Sequence, residues 1–131
     1  MTLSRRAWSR IFFVKAVYNI AVSLALLIWA EKLLPLMGVP PGNPAYVQMF
    51  LLLCLAFGVG YLLVALDVDG NAGIVVMGIL GQLSVFGVVV WQGLAGAVYA
   101  PALWSGVIDL GFALAFAGFL WTHDYPARPP G

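Results

Sequence analysis

Four long apolar runs constrain this chain more than any other feature of its sequence. They cover about residues 11–30, 45–66, 73–94 and 102–121. Each has about the twenty residues that a helix needs to cross the hydrocarbon core of a bilayer. Only 8% of the 131 residues are charged, whereas a soluble domain typically carries about 25%. The sequence therefore predicts an all-α, polytopic membrane protein, with four transmembrane helices in one bundle and a single domain over residues 1–131.

The first run follows a basic segment, as the apolar part of a secretory signal peptide would. That part of a signal peptide usually has about 7 to 15 residues, which is shorter than the run that ends at Ala30. The sequence Ala30-Glu31-Lys32 also offers no cleavage site with small residues. We therefore interpret the first run as a transmembrane helix.

Two of the predicted connections have clear turn chemistry. The prolines and glycines between Glu31 and Pro44 predict a loop that interrupts the helix. Asp67 to Ala72 predicts a tight turn, in which Asn71 caps the third helix. The turn has the acidic alternation of a calcium loop, but Ala72 stands where that loop needs a glycine, and we expect no calcium there.

The basic residues near the helix ends predict the orientation in the membrane. Five of the six lie on the side of the chain termini: Arg5, Arg6, Arg10, Lys15 and Arg128. Only Lys32 lies on the other side. Because Lys and Arg are in excess on the cytoplasmic side, we expect both termini to be cytoplasmic. Tryptophans are expected at both boundaries, with Trp8 and Trp121 inside and the other three outside.

A few polar residues lie deep in the predicted helices. At 1.5 Å per residue, depths from the inner boundary are about 12 Å for Asn19, about 13 to 14 Å for Gln82, about 16 Å for Ser84 and about 18 Å for Asp109. An acid near the middle of a membrane helix costs about 2.5 to 3.5 kcal/mol, so Asp109 should face the bundle interior. We expect it to face Asn19 or Gln82. This midplane polar cluster is open to two interpretations, a structural clasp or a ligand or proton site.

The first helix carries its own polar stripe, because Lys15, Asn19 and Ser23 recur every four residues. Lys15 is near enough to the helix end for its side chain to extend to the interface.

Small residues form a second stripe on the fourth helix, at Gly111, Ala115 and Gly118. At 100° per residue this stripe lies roughly opposite to Asp109, so it should point outward. Lipid is indifferent to residue size, whereas a close-packed helix requires small side chains. We expect the stripe to face another polypeptide. Small residues are also common in membrane helices, and the helix could be wedged between neighbours of its own bundle.

Other chemistry is sparsely supplied. Cys54 is the only cysteine and His123 the only histidine, and we expect His123 to be a solvated residue at the interface. We expect no metal site, no cofactor and no catalytic residues, because the ligands, bases and phosphate-binding motifs for them are missing. A net charge of +1 does not suggest nucleic acid as a partner.

These features together resemble a family of small bacterial membrane proteins with four helices, the DoxX-like or BphX-like type. The resemblance covers most of the chain and is carried by Tyr18-Asn19, the proline-containing loop, Phe57 to Tyr61 (FGVGY), the acidic turn, Gly81-Gln82 and Asp109. It implies a bacterial inner membrane, and some members are associated with membrane redox or quinone-linked systems. In related sequences the residue at the Gln82 position is often basic and would pair with the acid of the last helix; here it is an amide.

Two functions are expected from these patterns. The first is a non-catalytic accessory or scaffold subunit beside a larger membrane complex, respiratory or photosynthetic, with another membrane protein or a second copy as its partner. The alternative is a binder or carrier of a lipid-like or quinone-like molecule, anchored by Asn19, Gln82 and Asp109 in an apolar cavity.

Overall fold

The protein is an all-α bundle of four membrane-spanning helices. The computed structural model describes residues 2–125, so Met1 and residues 126–131, including Arg128, lie outside the described part. The helices are α1 (Arg5–Leu36), α2 (Pro44–Leu66), α3 (Ala72–Leu94) and α4 (Ala100–Thr122). Each is long and apolar enough to cross a membrane. The predicted fold class, a multi-pass four-helix membrane bundle, is confirmed.

The helices pack as two close pairs, α1 with α2 and α3 with α4. Glycine allows each close approach. A Cβ atom added to Gly58 would lie 2.8 Å from Ile20 of α1, and one added to Gly106 would lie 3.3 Å from Val89 of α3. Small residues at helix contacts are the usual device of membrane bundles, because they let two backbones approach closely.

Large aromatic side chains fill the wider space between α1 and α4. Phe12 lies 4.5 Å from Phe116 between ring centroids, and Trp8 lies 5.3 Å from Phe119. Phe12, Phe116 and Phe119 are fully buried. These contacts join the first half of α1 to the last half of α4, so the core is concentrated at one end of the bundle. We call this end, with the start of α1, the α2–α3 turn and the end of α4, the termini end; the opposite end is the loop end.

Helix α1 extends further than the sequence predicted. The predicted loop from Glu31 to Pro44 is wrong over its first six residues, because α1 continues through Pro35 to Leu36. The helix bends at Trp29, where the backbone has φ −125° and ψ 32°. A bend of this kind is a common way for a helix to accommodate the missing N–H and the bulky ring of a proline.

The two loops at the loop end meet at Gly38. Its carbonyl accepts a hydrogen bond from the Tyr99 N–H at 2.9 Å. Gly38 has a φ of +74°, and a Cβ atom there would lie 3.0 Å from both the Tyr99 oxygen and Pro101. Only glycine satisfies the backbone angle and the close contact together, so this residue fixes the α1–α2 loop against the start of α4.

In the turn between α2 and α3, the Asn71 side chain bonds to the end of α2 rather than to the start of α3. Asn71 stands at the N-cap position of α3, as predicted, but its side chain makes no cap hydrogen bond to that helix. Its amide instead donates to the carbonyls of Leu63, at 3.2 Å, and Asp67, at 2.9 Å. The Leu63 carbonyl also accepts the Asp67 N–H at 3.0 Å, so Asn71 adds a second hydrogen bond there and a hydrogen bond to the carbonyl of Asp67, just past the end of α2.

Candidate functional site

The four residues of the predicted midplane polar cluster each bond to a residue outside that set. The bonds are Asn19 Nδ2 to the Cys54 carbonyl at 3.2 Å, Gln82 Nε2 to the Tyr61 hydroxyl at 3.1 Å, Ser84 Oγ to the Leu80 carbonyl at 2.8 Å, and Lys15 Nζ to Asp109 Oδ1 at 2.6 Å. Ser84 is exposed and bonds within its own helix. Between residues 2 and 125, the structure shows no hydrogen bond that joins two of the four.

Asp109 forms an ion pair with Lys15, which we call the interior pair. The Lys15 side chain is 2% exposed and that of Asp109 is 16% exposed. The prediction that Lys15 extends to the interface is therefore wrong, because its side chain is directed into the bundle. The predicted partners of Asp109, Asn19 and Gln82, hydrogen-bond elsewhere.

The depths of the two residues explain this direction. Trp8 contacts Phe119, so depth can be counted on both helices from the termini end. Lys15 then starts about 10 Å deep and Asp109 about 15 Å deep. The four-carbon stem of lysine bridges this difference when it extends toward the middle of the membrane. The cation thus meets the acid near half depth.

Two aromatic rings complete the surroundings of the ammonium group. Lys15 Nζ lies 4.9 Å from the centroid of Tyr18 and 5.1 Å from that of Phe112. Cations are attracted to ring faces at such distances, and more strongly where water is excluded. The interior pair is therefore a charge contact supported by aromatic faces on both helices.

A second polar contact lies between α2 and α3, where Gln82 bonds to Tyr61. Gln82 is 4% exposed, and its Oε1 has no hydrogen-bond partner among the described residues. The Tyr61 ring passes directly over Gly78, where a Cβ atom would lie only 2.7 Å from it. Gln82 thus keeps unused hydrogen-bonding capacity in the bundle interior.

A third polar group lies at the termini end and was missed by the sequence analysis. Asp69 forms an ion pair with Arg5 Nη1 at 2.8 Å and a hydrogen bond with His123 Nε2 at 2.7 Å. We call these three residues the Asp69 cluster. The His123 side chain is 4% exposed and its ring stacks on Phe119 at 4.5 Å. The prediction of a solvated His123 is therefore wrong.

The Asp69 cluster affects a neighbouring phenol. Tyr125 packs against His123 with ring centroids 5.0 Å apart. Partial burial and, to a smaller extent, the negative charge of Asp69 raise the pKa of Tyr125 above its usual value. The cluster is spread over positions separated by more than fifty residues. Only the antiparallel topology, which brings both termini and the α2–α3 turn to one end, could have suggested it.

The small-residue stripe of α4 is turned away from the rest of the bundle. A Cβ atom added to Gly111 or Gly118 would meet nothing within 4 Å, and Gly111 is exposed. Ala115, between them on the same face, and Gly118 itself are half-buried. We call these three residues the outward face. At the two glycines, no neighbour from the described bundle covers it.

Two cavities lie away from the predicted cluster. One, of about 380 Å³, lies beside the bend of α1 at the loop end, and the other, of about 140 Å³, lies near Arg5 and His123. Neither is lined by a member of the midplane polar cluster. Across residues 2–125, no three His, Cys, Asp or Glu side chains are grouped so that they could hold a metal ion.

Comparisons with protein-family models, with curated proteins and with solved structures found no match to this chain. The lengths and hydropathy of its helices indicate a small four-span membrane protein.

Proposed function

We propose that this chain is a non-catalytic membrane subunit that packs through α4 against another membrane polypeptide, as an accessory or scaffold part of a larger complex. One observation carries the proposal. The outward face presents Gly111 and Gly118 to open surroundings, where a Cβ atom would meet nothing within 4 Å.

The glycines inside the bundle show what such positions do in this chain. Gly58, Gly78 and Gly106 each lie against a side chain of a neighbouring helix, at distances from 2.7 to 3.3 Å for an added Cβ atom. Gly111 and Gly118 are helix glycines too, but a Cβ atom added to either would meet nothing within 4 Å in the described chain. A second polypeptide would use them as the bundle uses the other three.

The DoxX-like or BphX-like resemblance supports the same proposal and adds its setting. The resemblance implies a bacterial inner membrane. The basic residues near the helix ends favour cytoplasmic termini, and the proposed partner is a respiratory or photosynthetic complex. The interior pair differs from the pattern of the resemblance, because its base comes from α1 and not from the Gln82 position of α3. Related sequences offer a base at the Gln82 position to the acid of the last helix, and here Lys15 supplies that base.

A second candidate function is the binding of a lipid-like or quinone-like molecule by the midplane residues. It is favoured by the buried Oε1 of Gln82, which could accept a hydrogen bond from a ligand. The two described cavities are lined by other residues.

The experiment compares two pairs of open glycines. The test variant is Gly111→Leu with Gly118→Leu, on the outward face. The matched control is Gly73→Leu with Gly87→Leu, since these glycines of α3 also have no neighbour within 4 Å. All four changes add an apolar side chain where the described chain has room, so both variants should insert and fold.

Each protein is purified from its native membrane in mild detergent, and the mass of the complex and the co-purifying proteins and quinones are identified. We expect the control to keep its partner and the test variant to lose it. An unchanged complex in the test variant would contradict the role of the outward face. A stoichiometric quinone that leaves on Gln82→Leu, without any protein partner, would favour the second function.

A further inference from the structure

The loop end has an unusual distribution of charge. Among residues 2–125, only Glu31 and Lys32 are charged there, whereas the other charges outside the membrane lie at the termini end. Both residues are exposed, and they are adjacent in the chain. The loop end therefore offers one anion and one cation side by side, with no other charge to compete.

Glu31 and Lys32 line the larger of the two described cavities, which we call the kink groove. It has a volume of about 380 Å³ and lies between the bent end of α1 and the start of α2. Leu26 and Leu51, both almost fully buried, form part of its wall together with Val47. The kink groove is thus lined by apolar side chains and by one pair of opposite charges.

The depth of the groove places these charges at the membrane surface. Trp29, which also lines the groove, is about 31 Å from Trp8 along α1, close to the thickness of the hydrocarbon core. Its side chain is half exposed, as is usual for tryptophan at the headgroup level. The apolar wall therefore lies at acyl-chain depth, and Glu31 and Lys32 lie among the headgroups.

The bend of α1 adds a further acceptor beside these charges. Pro35 has no N–H, so it cannot donate the helical hydrogen bond to the Glu31 carbonyl. The carboxylate and this carbonyl of one residue are both suited to an ammonium group that has N–H donors. Lys32 is suited to a phosphate.

From this arrangement we propose that the kink groove binds one phospholipid whose headgroup joins a phosphate to a primary ammonium, as in phosphatidylethanolamine. Glu31 accepts hydrogen bonds from the ammonium, Lys32 binds the phosphate, and an acyl chain lies against Leu26 and Leu51. A choline headgroup has no N–H to donate to Glu31. A glycerol headgroup has no cation for Glu31 to bind. The adjacent anion and cation of the groove thus select among lipids by the chemistry of the headgroup.

The test uses native mass spectrometry of the full chain in mild detergent, with phosphatidylethanolamine and phosphatidylcholine of identical acyl chains. These lipids differ only in methylation of the nitrogen. We expect the first to bind about tenfold more tightly, the effect of one additional charge-assisted hydrogen bond. Phosphatidylglycerol should bind more weakly than phosphatidylethanolamine.

Two variants assign the preference to the groove. Glu31→Gln with Lys32→Gln should reduce it to less than about twofold. The control Arg10→Gln with Asp124→Asn removes one exposed cation and one exposed anion at the termini end and should keep it. Val47→Trp should weaken both lipids by filling the groove. Equal binding of the two lipids to the unchanged protein, or a preference that survives in the Glu31 and Lys32 variant, overturns the proposal.

Discussion

The interior pair and the Asp69 cluster make the same kind of contact in opposite surroundings. Lys15 and Asp109 are 2.6 Å apart, and the Lys15 side chain is 2% exposed. Arg5 and Asp69 are 2.8 Å apart, but the Arg5 side chain is 59% exposed. Water screens the second contact and not the first. The comparison shows that contact distance alone does not set the free energy of an ion pair, because the surroundings decide it.

The largest expected effect comes from removal of one partner of the interior pair. Lys15→Met or Asp109→Leu leaves a charged group without its counter-ion inside the membrane. Each should lower the free energy of unfolding by about 3 kcal/mol, the cost of an uncompensated charge at such depth. The measurement is unfolding of the purified bundle in mixed micelles with increasing SDS.

The double variant Lys15→Met with Asp109→Leu is the control for this prediction. It removes both charges and keeps apolar side chains of similar size. Its unfolding free energy should lie within about 1 kcal/mol of the original, since a buried pair and a well-packed apolar pair are often nearly equivalent. If the double variant loses as much as the two single variants added together, the two residues are not energetically coupled as a pair.

A smaller effect is expected from the Asp69 cluster. Asp69→Asn weakens the contacts to both Arg5 and His123 and should cost about 1 kcal/mol or less at low salt. The loss should shrink as ionic strength rises, because salt screens exposed charges. The same unfolding assay at low and high salt measures it.

The matched control for this variant is Asp124→Asn, which removes an exposed carboxylate near the same end of the bundle. It should change stability less than Asp69→Asn does. The interior pair variants should show no comparable dependence on salt. A salt-independent loss in Asp69→Asn would remove the distinction between the two regions.

The same two regions show how far the sequence could predict the structure. The four spans and the inward direction of Asp109 follow from run length and from the cost of an acid in lipid, and both are present. The partner of Asp109 could not be predicted from the sequence. Lysine can extend toward either end of its helix, and only the packing of α1 against α4 decides between them.

Errors at the helix ends have related causes. Proline was expected to end α1, but the bend at Trp29 precedes Pro35 and the helix continues. His123 lies beyond a predicted span and was assigned to solvent, yet it packs on Phe119 and bonds to Asp69. Asp69 lies 54 positions away in the chain. Local patterns carry no information about such distant contacts until the topology is known.

The smallest expected effect is on Tyr125, and it separates burial from charge within the Asp69 cluster. Burial is the larger cause of its raised pKa and the charge of Asp69 the smaller one. Asp69→Asn should therefore lower the Tyr125 pKa only part of the way toward its usual value. The difference in ultraviolet absorbance between each protein and its Tyr125→Phe variant, followed through alkaline pH, isolates this phenol.

The raised pKa also fixes the sign of its effect on stability. The folded state holds the phenol proton more tightly than the unfolded state does. The contribution of Tyr125 is thus complete below its unfolded pKa, about 10, and is lost as pH rises through the folded value. Tyr125→Phe should remove that part of the alkaline loss.

High salt separates the two causes of the raised pKa. It should reduce the difference between the Tyr125 pKa values with and without the Asp69 charge, because that charge acts partly through water. It should leave the contribution of burial unchanged. A shift that Asp69→Asn leaves intact would assign the whole effect to burial, and Asp69 would then act only on Arg5 and His123.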